Sequence, residues 1–270
     1  MHAIKSFFVS AVFLFPFQVL ASAVDIRFET LQPATDSQAL LLSEAEAFWE
    51  NTLPGYQPGI DIDQVTISVG AFDIDGPSGR LAQAGPRDLV EASGFTLPTA
   101  GVVDFDTADL DRLEAEGSLF GLLLHEVAHV LGFGTLWTEN DVYTDGSGQY
   151  TGRGALEAYR AEFDPLATFV PAELDGARGT RDAHWDENWA GGPQELMTGF
   201  LDSPLFLSET TIASFRDLGY ETRASVVPVP LPAGLGVTLT ALGMLGLVGS
   251  RRRRQRPCQV AVQAALRSPL

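Results

Sequence analysis

Apolar residues recur along the chain at two spacings, which predict strands and helices within one domain. At 24–28 apolar and polar residues alternate, as they do in a strand with one buried face. From 36 to 52 apolar residues return at helical spacing, with Thr35 or Asp36 placed to cap the helix. Because strands and helices mix without strict βαβ repetition, the predicted fold class is α+β. Further strands are predicted at 65–69, 80–84 (ending before Gly85-Pro86) and 101–105, and further helices at 107–116, 118–131, 155–163 and 208–218.

The helix predicted at 118–131 carries a metal-binding motif. It reads His125-Glu126-Val127-Ala128-His129, after an apolar run and before Gly132. Residues four apart lie on one helix face, so both imidazoles can reach one zinc ion. Glu126 lies beside them and can take a proton from a bound water. The motif therefore predicts hydrolysis of a peptide bond.

The third ligand must come from farther along the chain. A catalytic zinc ion usually has three protein ligands and leaves one position to water. Thr135, at the nearer candidate position, is a poor ligand, whereas His184 is the one other histidine of the domain. If His184 is the ligand, the loop 135–183 must fold out and return. A downstream glutamate, Glu157 or Glu162, is the alternative third ligand.

The two ends of the chain differ from the body and predict targeting segments. Residues 1–23 combine Lys5, a short apolar stretch and a small-residue cleavage site, as a secretory signal peptide does, and cleavage would leave residue 24 first. Residues 226–270 start as a proline-rich spacer and continue as an apolar stretch of about 18 residues, near the lower limit for a membrane span. The arginines at 251–254 follow it and predict that this flank stays in the cytoplasm, with the domain 24–225 outside.

The charge of the domain argues against one class of partner, and its cysteine content argues against disulfides. All 35 acidic residues but only ten arginines and no lysine fall within 24–225, which gives a formal charge of −25. Such a surface repels nucleic acid, so no nucleic-acid partner is expected. The single cysteine, Cys258, lies outside the domain, which therefore has no internal disulfide.

Two short segments rich in aspartate suggest Ca²⁺ as a minor second cofactor. Asp73 and Asp75 lie in one segment, and Asp141 and Asp145 lie near two glycines in the other. Neither segment has the spacing of a complete calcium loop. Clusters of this kind are usually solvated turns.

Three segments of the domain together resemble the leishmanolysin family of metzincin zinc peptidases. They are 125–133, the stretch Ala183-His184-Trp185 and the stretch Glu195-Leu196-Met197-Thr198-Gly199, and the likeness extends over 118–220. It implies a zincin-like (metzincin) fold with a twisted N-terminal sheet, an active-site helix and a smaller C-terminal lobe. It also implies the site residues: one Zn²⁺ held by His125, His129 and His184, Glu126 as general base, and Met197 as the apolar floor beneath the metal.

The tail carries a second resemblance. Val229-Pro230-Leu231-Pro232-Ala233, the apolar stretch and the arginine cluster resemble bacterial C-terminal sorting signals of the VPLPA (PEP-CTERM) type. This likeness implies an exosortase-type processing enzyme as a partner, and a periplasmic, cell-surface or extracellular location with the tail in the membrane. Residues 255–270 depart from the pattern, because such signals normally stop near the arginines.

The sequence thus predicts a secreted or surface-tethered zinc endopeptidase that acts on protein or peptide substrates. The alternative from a different class is a non-catalytic envelope or matrix protein that keeps zinc for stability. The intact Glu126 argues against this alternative, because a structural zinc site needs no base. Two departures from the leishmanolysin pattern are the lack of its many cysteines and the smaller size of the domain.

Overall fold

The fold is α+β, as predicted, within the residues that the computed structural model describes: 22–177, 179–223 and the backbone of 227–228. These residues form five helices and a four-stranded mixed sheet with three two-stranded pairs. The helices are α1 (Asp36–Thr52), α2 (Leu110–Glu116), α3 (Leu119–Val130), α4 (Arg153–Glu162) and α5 (Glu209–Arg216). The strands are β1 (Ile26–Thr30), β2 (Gly55–Tyr56), β3 (Val65–Phe72), β4 (Ala82–Ala92), β5 (Phe95–Asp106), β6 (Gln149–Tyr150), β7 (Val170–Pro171), β8 (Phe206–Leu207), β9 (Tyr220–Glu221) and β10 (Val227–Pro228).

The predicted terminal segments fall almost wholly beyond the described residues. Of the signal peptide, only residues 22 and 23 are described, and of the tail 226–270 only β10, which pairs with β8. In the part of the chain that is described, no helix combines the length and the apolar character needed to cross a bilayer.

The main sheet places its one antiparallel strand at an edge. The strand order is β1-β3-β5-β4, with β1, β3 and β5 parallel and β4 antiparallel to β5. In β3 the side chains of Val65, Ile67 and Val69 are buried and alternate with half-buried ones, so one face of the sheet forms the core. The outer side of β4 pairs with no other strand among the described residues, and it borders the site described below.

β4 and β5 correct the predicted strand lengths. The strand predicted at 80–84 does not stop before Gly85-Pro86 but continues to Ala92, and β5 begins at Phe95 instead of residue 101. Proline is tolerated there because β4 is an edge strand, and the pairing is irregular just after Pro86. Ser93 and Gly94 form the connecting turn, both with positive φ (52° and 87°), as a two-residue hairpin turn requires.

The helices form largely as predicted. Thr35 caps α1 through a capping box, and Leu41, Ala45 and Trp49 form its buried stripe. α2 begins at Leu110 and not at residue 107, because the residues before it form a turn. Ser208 caps α5, whose amide N–H groups would otherwise lack partners.

α3 packs directly on the sheet, in contact with β4 and β5. All of its residues are buried. It approaches β5 at Gly101, where a Cβ atom would lie only 2.3 Å from Cγ1 of Val130. Glycine is therefore required at this position for the helix to pack as closely as it does, and the end of α3 is held beside the edge strand.

The long segment after α3 carries its own structure, as loops of that length within a domain often do. It contains β6, β7 and α4, the last matching the helix predicted at 155–163. α4 packs against α5. The ring of Trp185 stacks on Trp137 at 5.1 Å and on Trp189 at 5.6 Å between ring centroids, so the returning chain ends in the aromatic core.

Candidate metal centre

The last two turns of α3 present two of the three histidines. His125 and His129 are 9% and 6% exposed, on one face of a helix that is otherwise buried. The chain then leaves the helix at Gly132, whose φ of +111° suits glycine. Thr135 is held back at this end, because its hydroxyl donates to the backbone carbonyl of His129 at 2.6 Å.

His184 returns to the same place on the far side of the long loop. The chain passes so close to Gly134 that a Cβ atom there would lie 2.2 Å from the carbonyl oxygen of Ala183. Beyond the histidine, the amide of Trp185 donates to the carbonyl of Met197 at 3.0 Å. The backbone of His184 is thus fixed from both sides, and its ring is 6% exposed.

The three ring nitrogens converge on one point. The Nε2 atoms of His125, His129 and His184 form a triangle with sides of 3.0 Å. Among the described residues this is the single group of three His, Cys, Asp or Glu side chains close enough to hold one metal ion. The structure therefore brings together the three histidines that the sequence selected.

The other nitrogen of each ring fixes its tautomer. The Nδ1 atoms of His125, His129 and His184 contact the backbone carbonyls of Leu196 (2.7 Å), Phe133 (2.9 Å) and Thr180 (2.8 Å), respectively. A carbonyl only accepts, so each Nδ1 carries the proton and each Nε2 presents a bare lone pair. Three lone pairs facing one another repel unless a cation lies between them. A triangle of this size can be capped by one ion at a metal–nitrogen distance of about 2.0–2.1 Å, as for zinc, so the donor set fits a metal.

Burial keeps the three imidazoles neutral. It lowers the pKa of His125 to about 4 and that of His184 to about 3, although the hydrogen bonds to backbone carbonyls oppose the shift. The pKa of His129 falls well below its ordinary value, first through burial and then through its two histidine neighbours. Neutral imidazole is the form that binds metals.

Glu126 lies in the same cleft as the histidines. Its side chain is buried, and burial raises its pKa to about 8, against the opposing charge of Arg80. A divalent cation nearby would act in the same direction as Arg80 and favour the ionised carboxylate. The cleft has a volume of about 640 Å³, and its walls include residues 79–84 before and within β4, the returning segment and residues 198–201.

Met197 lies in a buried turn whose backbone supports two of the histidines. Its side chain is fully buried. The neighbouring Leu196 carbonyl accepts the Nδ1 proton of His125, and the Met197 carbonyl accepts the amide of Trp185. Glu195, in the same turn, was part of the sequence pattern but had no predicted role, since nothing in the sequence distinguishes a buried carboxylate from an exposed one.

The alternative ligands lie elsewhere. Glu157 pairs with Arg153 on the surface of α4 at 2.7 Å. Both carboxylate oxygens of Glu162 accept backbone N–H groups at the start of α5. The aspartates considered for calcium form no group of three ligands among the described residues. Instead, Asp75 accepts the amide of Arg80, and Asp145 accepts the hydroxyl of Thr138.

Comparisons with protein-family models and with curated proteins found no match to this chain. The site is therefore characterised by its own geometry.

Proposed function

We propose that this protein is a zinc-dependent endopeptidase with a zincin-like (metzincin) fold of the leishmanolysin type. The observation that carries the proposal is the convergence of three bare imidazole nitrogens, with Glu126 in the same cleft. His125, His129 and His184 would hold the ion, and the remaining coordination position would be open to water or substrate. Met197 would lie beneath it as part of the fully buried turn 195–198.

The residues of the chain divide the work of hydrolysis between them. A bound zinc ion supplies two things, which are activation of water near neutral pH and polarisation of a carbonyl group. Glu126 would take the proton of the attacking water and deliver it to the leaving amine. Burial raises the pKa of its carboxyl group and the zinc ion would lower it again, so the two effects together would favour a carboxylate that can accept a proton and return it. The half-enclosed cleft would limit the access of other water.

The edge of β4 that pairs with no other described strand suits a peptide substrate. An extended peptide can add to an exposed sheet edge through backbone hydrogen bonds, which are independent of its side chains. The first residues of β4, Ala82 to Ala84, line the cleft that contains Glu126. A peptide laid along this edge would therefore pass the proposed metal, and this supports an endopeptidase acting on proteins or unfolded segments.

The sequences of the two terminal segments support an exported location for the enzyme. Residues 1–23 would direct export, and residues 226–270 would bring the domain to the membrane and to an exosortase-type processing enzyme. The domain would then act in the periplasm, at the cell surface or outside the cell.

The function is tested by replacing the proposed base. Glu126→Gln should keep one zinc ion per chain and lose at least about 100-fold in peptide cleavage, the range expected for a general base. Glu157→Gln is the matched control, since it makes the same chemical change on the exposed face of α4. Casein or a fluorogenic peptide measures cleavage, and metal analysis measures zinc.

Three results would contradict the proposal. Cleavage that persists in Glu126→Gln would remove the assigned base. A zinc-loaded wild-type protein that cleaves no peptide, with Glu126→Gln equally stable and equally loaded, would favour the non-catalytic zinc protein instead. Loss of zinc in Glu157→Gln would revive the glutamate ligand.

A further inference from the structure

Glu195 is a buried carboxylate outside the proposed ligand set. Its exposed fraction is 0%, and none of the ion pairs among the described residues includes it. Burying a charge without an opposite charge is costly unless hydrogen bonds replace the lost water. A carboxylate kept in such a place calls for an explanation in terms of what its oxygens bind.

Both oxygens of Glu195 accept strong hydrogen bonds. Oε1 accepts the backbone amide of Ser208 at 3.0 Å, the Ser208 hydroxyl at 2.9 Å and the Thr211 hydroxyl at 2.6 Å. Oε2 accepts the amide of Met197 at 2.6 Å. Each oxygen accepts one backbone N–H, which can only donate, so these two bonds favour the ionised carboxylate. They and the hydroxyl bonds oppose burial, which raises the pKa of Glu195.

The Met197 amide belongs to the peptide group that also binds His125. In that group the N–H of Met197 donates to Glu195, while the C=O of Leu196 accepts from Nδ1 of His125 at 2.7 Å. An anion at the N–H end makes the carbonyl oxygen more negative, and a stronger acceptor at Nδ1 makes Nε2 a better donor to a metal. The chain of contacts is therefore carboxylate, peptide, imidazole.

We propose that Glu195 is a positioning residue of the metal centre, acting on His125 through the Leu196–Met197 peptide. The inference rests on the metal site proposed above and deepens it. Of the three peptides whose carbonyls bind the histidine rings, only the one that binds His125 donates its N–H to a carboxylate among the hydrogen bonds of the described residues. The Thr180 carbonyl that binds His184 belongs to a peptide whose N–H donates to a neutral carbonyl, that of Ala177 at 3.1 Å.

Oε1 of Glu195 holds the segment that follows His184 but does not act on the His184 ring, whose Nδ1 contacts the Thr180 carbonyl. The Thr211 hydroxyl that donates to Glu195 also accepts the indole N–H of Trp185 at 2.8 Å. Trp185 directly follows His184, and its backbone amide binds the Met197 carbonyl. One carboxylate thus holds the turn beside the first ligand and the ring next to the third, which explains why it is buried at this point.

The test uses Glu195→Gln in the full chain, with two readouts. The zinc dissociation constant, from competition with a chelator, should rise about 10–100-fold, as is usual when a partner of a metal ligand is removed. In the metal-free, ¹⁵N-labelled protein, the Nδ1 proton resonance of His125 should move upfield, while those of His129 and His184 stay in place. A general loosening of the fold would move all three.

Ser208→Ala is the matched control. It removes one hydroxyl donor from Oε1 and the cap of α5 but keeps the carboxylate and its bond to Met197. The control should be less stable, yet its His125 resonance should remain where it is in the wild type. If Ser208→Ala shifts that resonance as much as Glu195→Gln does, the effect is structural and the proposal is wrong.

A measurement on the wild-type protein tests the proposal even if the variants fail to fold. The Nδ1 proton of His125 should resonate downfield of those of His129 and His184, because its acceptor is the one polarised by an anion. Any other order of the three resonances would overturn the proposed effect of Glu195 on His125. A wild-type protein that binds no zinc would refute the proposed function, while the order of resonances would still decide the role of Glu195.

Discussion

Gly134→Ala tests how the returning chain delivers His184 to the site. Gly134 has a φ of +72°, and a Cβ atom there would lie 2.2 Å from the carbonyl oxygen of Ala183. Contacts of a Cβ atom below 3.0 Å are essentially never found in proteins. The backbone of Ala183 must therefore shift by roughly 1 Å to reach ordinary van der Waals separation, and the ring of His184, the next residue, shifts with it.

The expected magnitude has two parts. A non-glycine residue with positive φ costs about 1 kcal/mol in conformational strain. Displacing the support of a metal ligand lowers metal affinity by about 10–100-fold, which equals about 1.4–2.7 kcal/mol. The second part is specific to the metal centre, and the first is shared by any glycine with this backbone conformation.

Gly146→Ala separates the two parts. Gly146 has a φ of +75°, and a Cβ atom there meets nothing within 4 Å. Both variants should lose similar free energy of unfolding to backbone strain, and Gly134→Ala should lose about 1–3 kcal/mol more through the clash with Ala183. Only Gly134→Ala should lose zinc affinity, as measured by competition with a chromophoric chelator. Zinc binding by Gly134→Ala as tight as in the wild type would contradict the role of this close contact. So would an equal loss of zinc affinity in Gly146→Ala.

Three further predictions concern stability and the metal. Gly101→Ala should lower the free energy of unfolding in urea by about 1–3 kcal/mol through overpacking against Val130. Gly85→Ala, on the paired strand, should change it little, because its Cβ atom would meet open space. Equal losses in the two variants would contradict the close packing of α3. The metal-free Glu126→Gln protein should lose stability as the pH falls from about 6.5 toward 4, by roughly 3 kcal/mol from His125 alone. The folded pKa values of about 4 (His125) and about 3 (His184) lie below those of the unfolded chain, which therefore binds more protons in this range. The substitution is needed because Glu126, with its folded pKa raised to about 8, has the opposite effect on the wild type over the same range. A flat profile of unfolding free energy in this variant would refute the buried neutral rings. Finally, removing zinc should lower the melting temperature by the equivalent of about 2.7 kcal/mol relative to protein with free zinc at 100 times its dissociation constant, and a melting temperature indifferent to the chelator would exclude a site formed in the folded state.

The sequence predicted which three histidines lie together because that prediction depends on helix geometry and on the small number of histidines. Two histidines four residues apart share a helix face wherever the helix lies. With His184 as the one remaining histidine of the domain, the choice of a third imidazole was narrow. The approach of His184 to the other two histidines depends on the path of the loop 135–183, which the sequence did not predict.

The supporting contacts could not be predicted because they join residues far apart in the chain. The contact of Nδ1 of His125 with the Leu196 carbonyl spans 71 residues, and no local pattern encodes it. The burial of Glu195 and the close approach at Gly134 are likewise consequences of packing. The length of β4 was misjudged for the opposite reason: Gly85-Pro86 is a strong local stop signal, which an edge strand can tolerate.

The three-histidine centre is tested most directly by elemental analysis of the purified wild type and of His184→Ala, measured side by side for the number of zinc ions bound per chain. The wild type is predicted to carry one zinc ion per chain, and His184→Ala to lose it while it keeps its secondary structure. A wild type without zinc, or a His184→Ala variant that retains a full equivalent, would contradict the three-histidine centre.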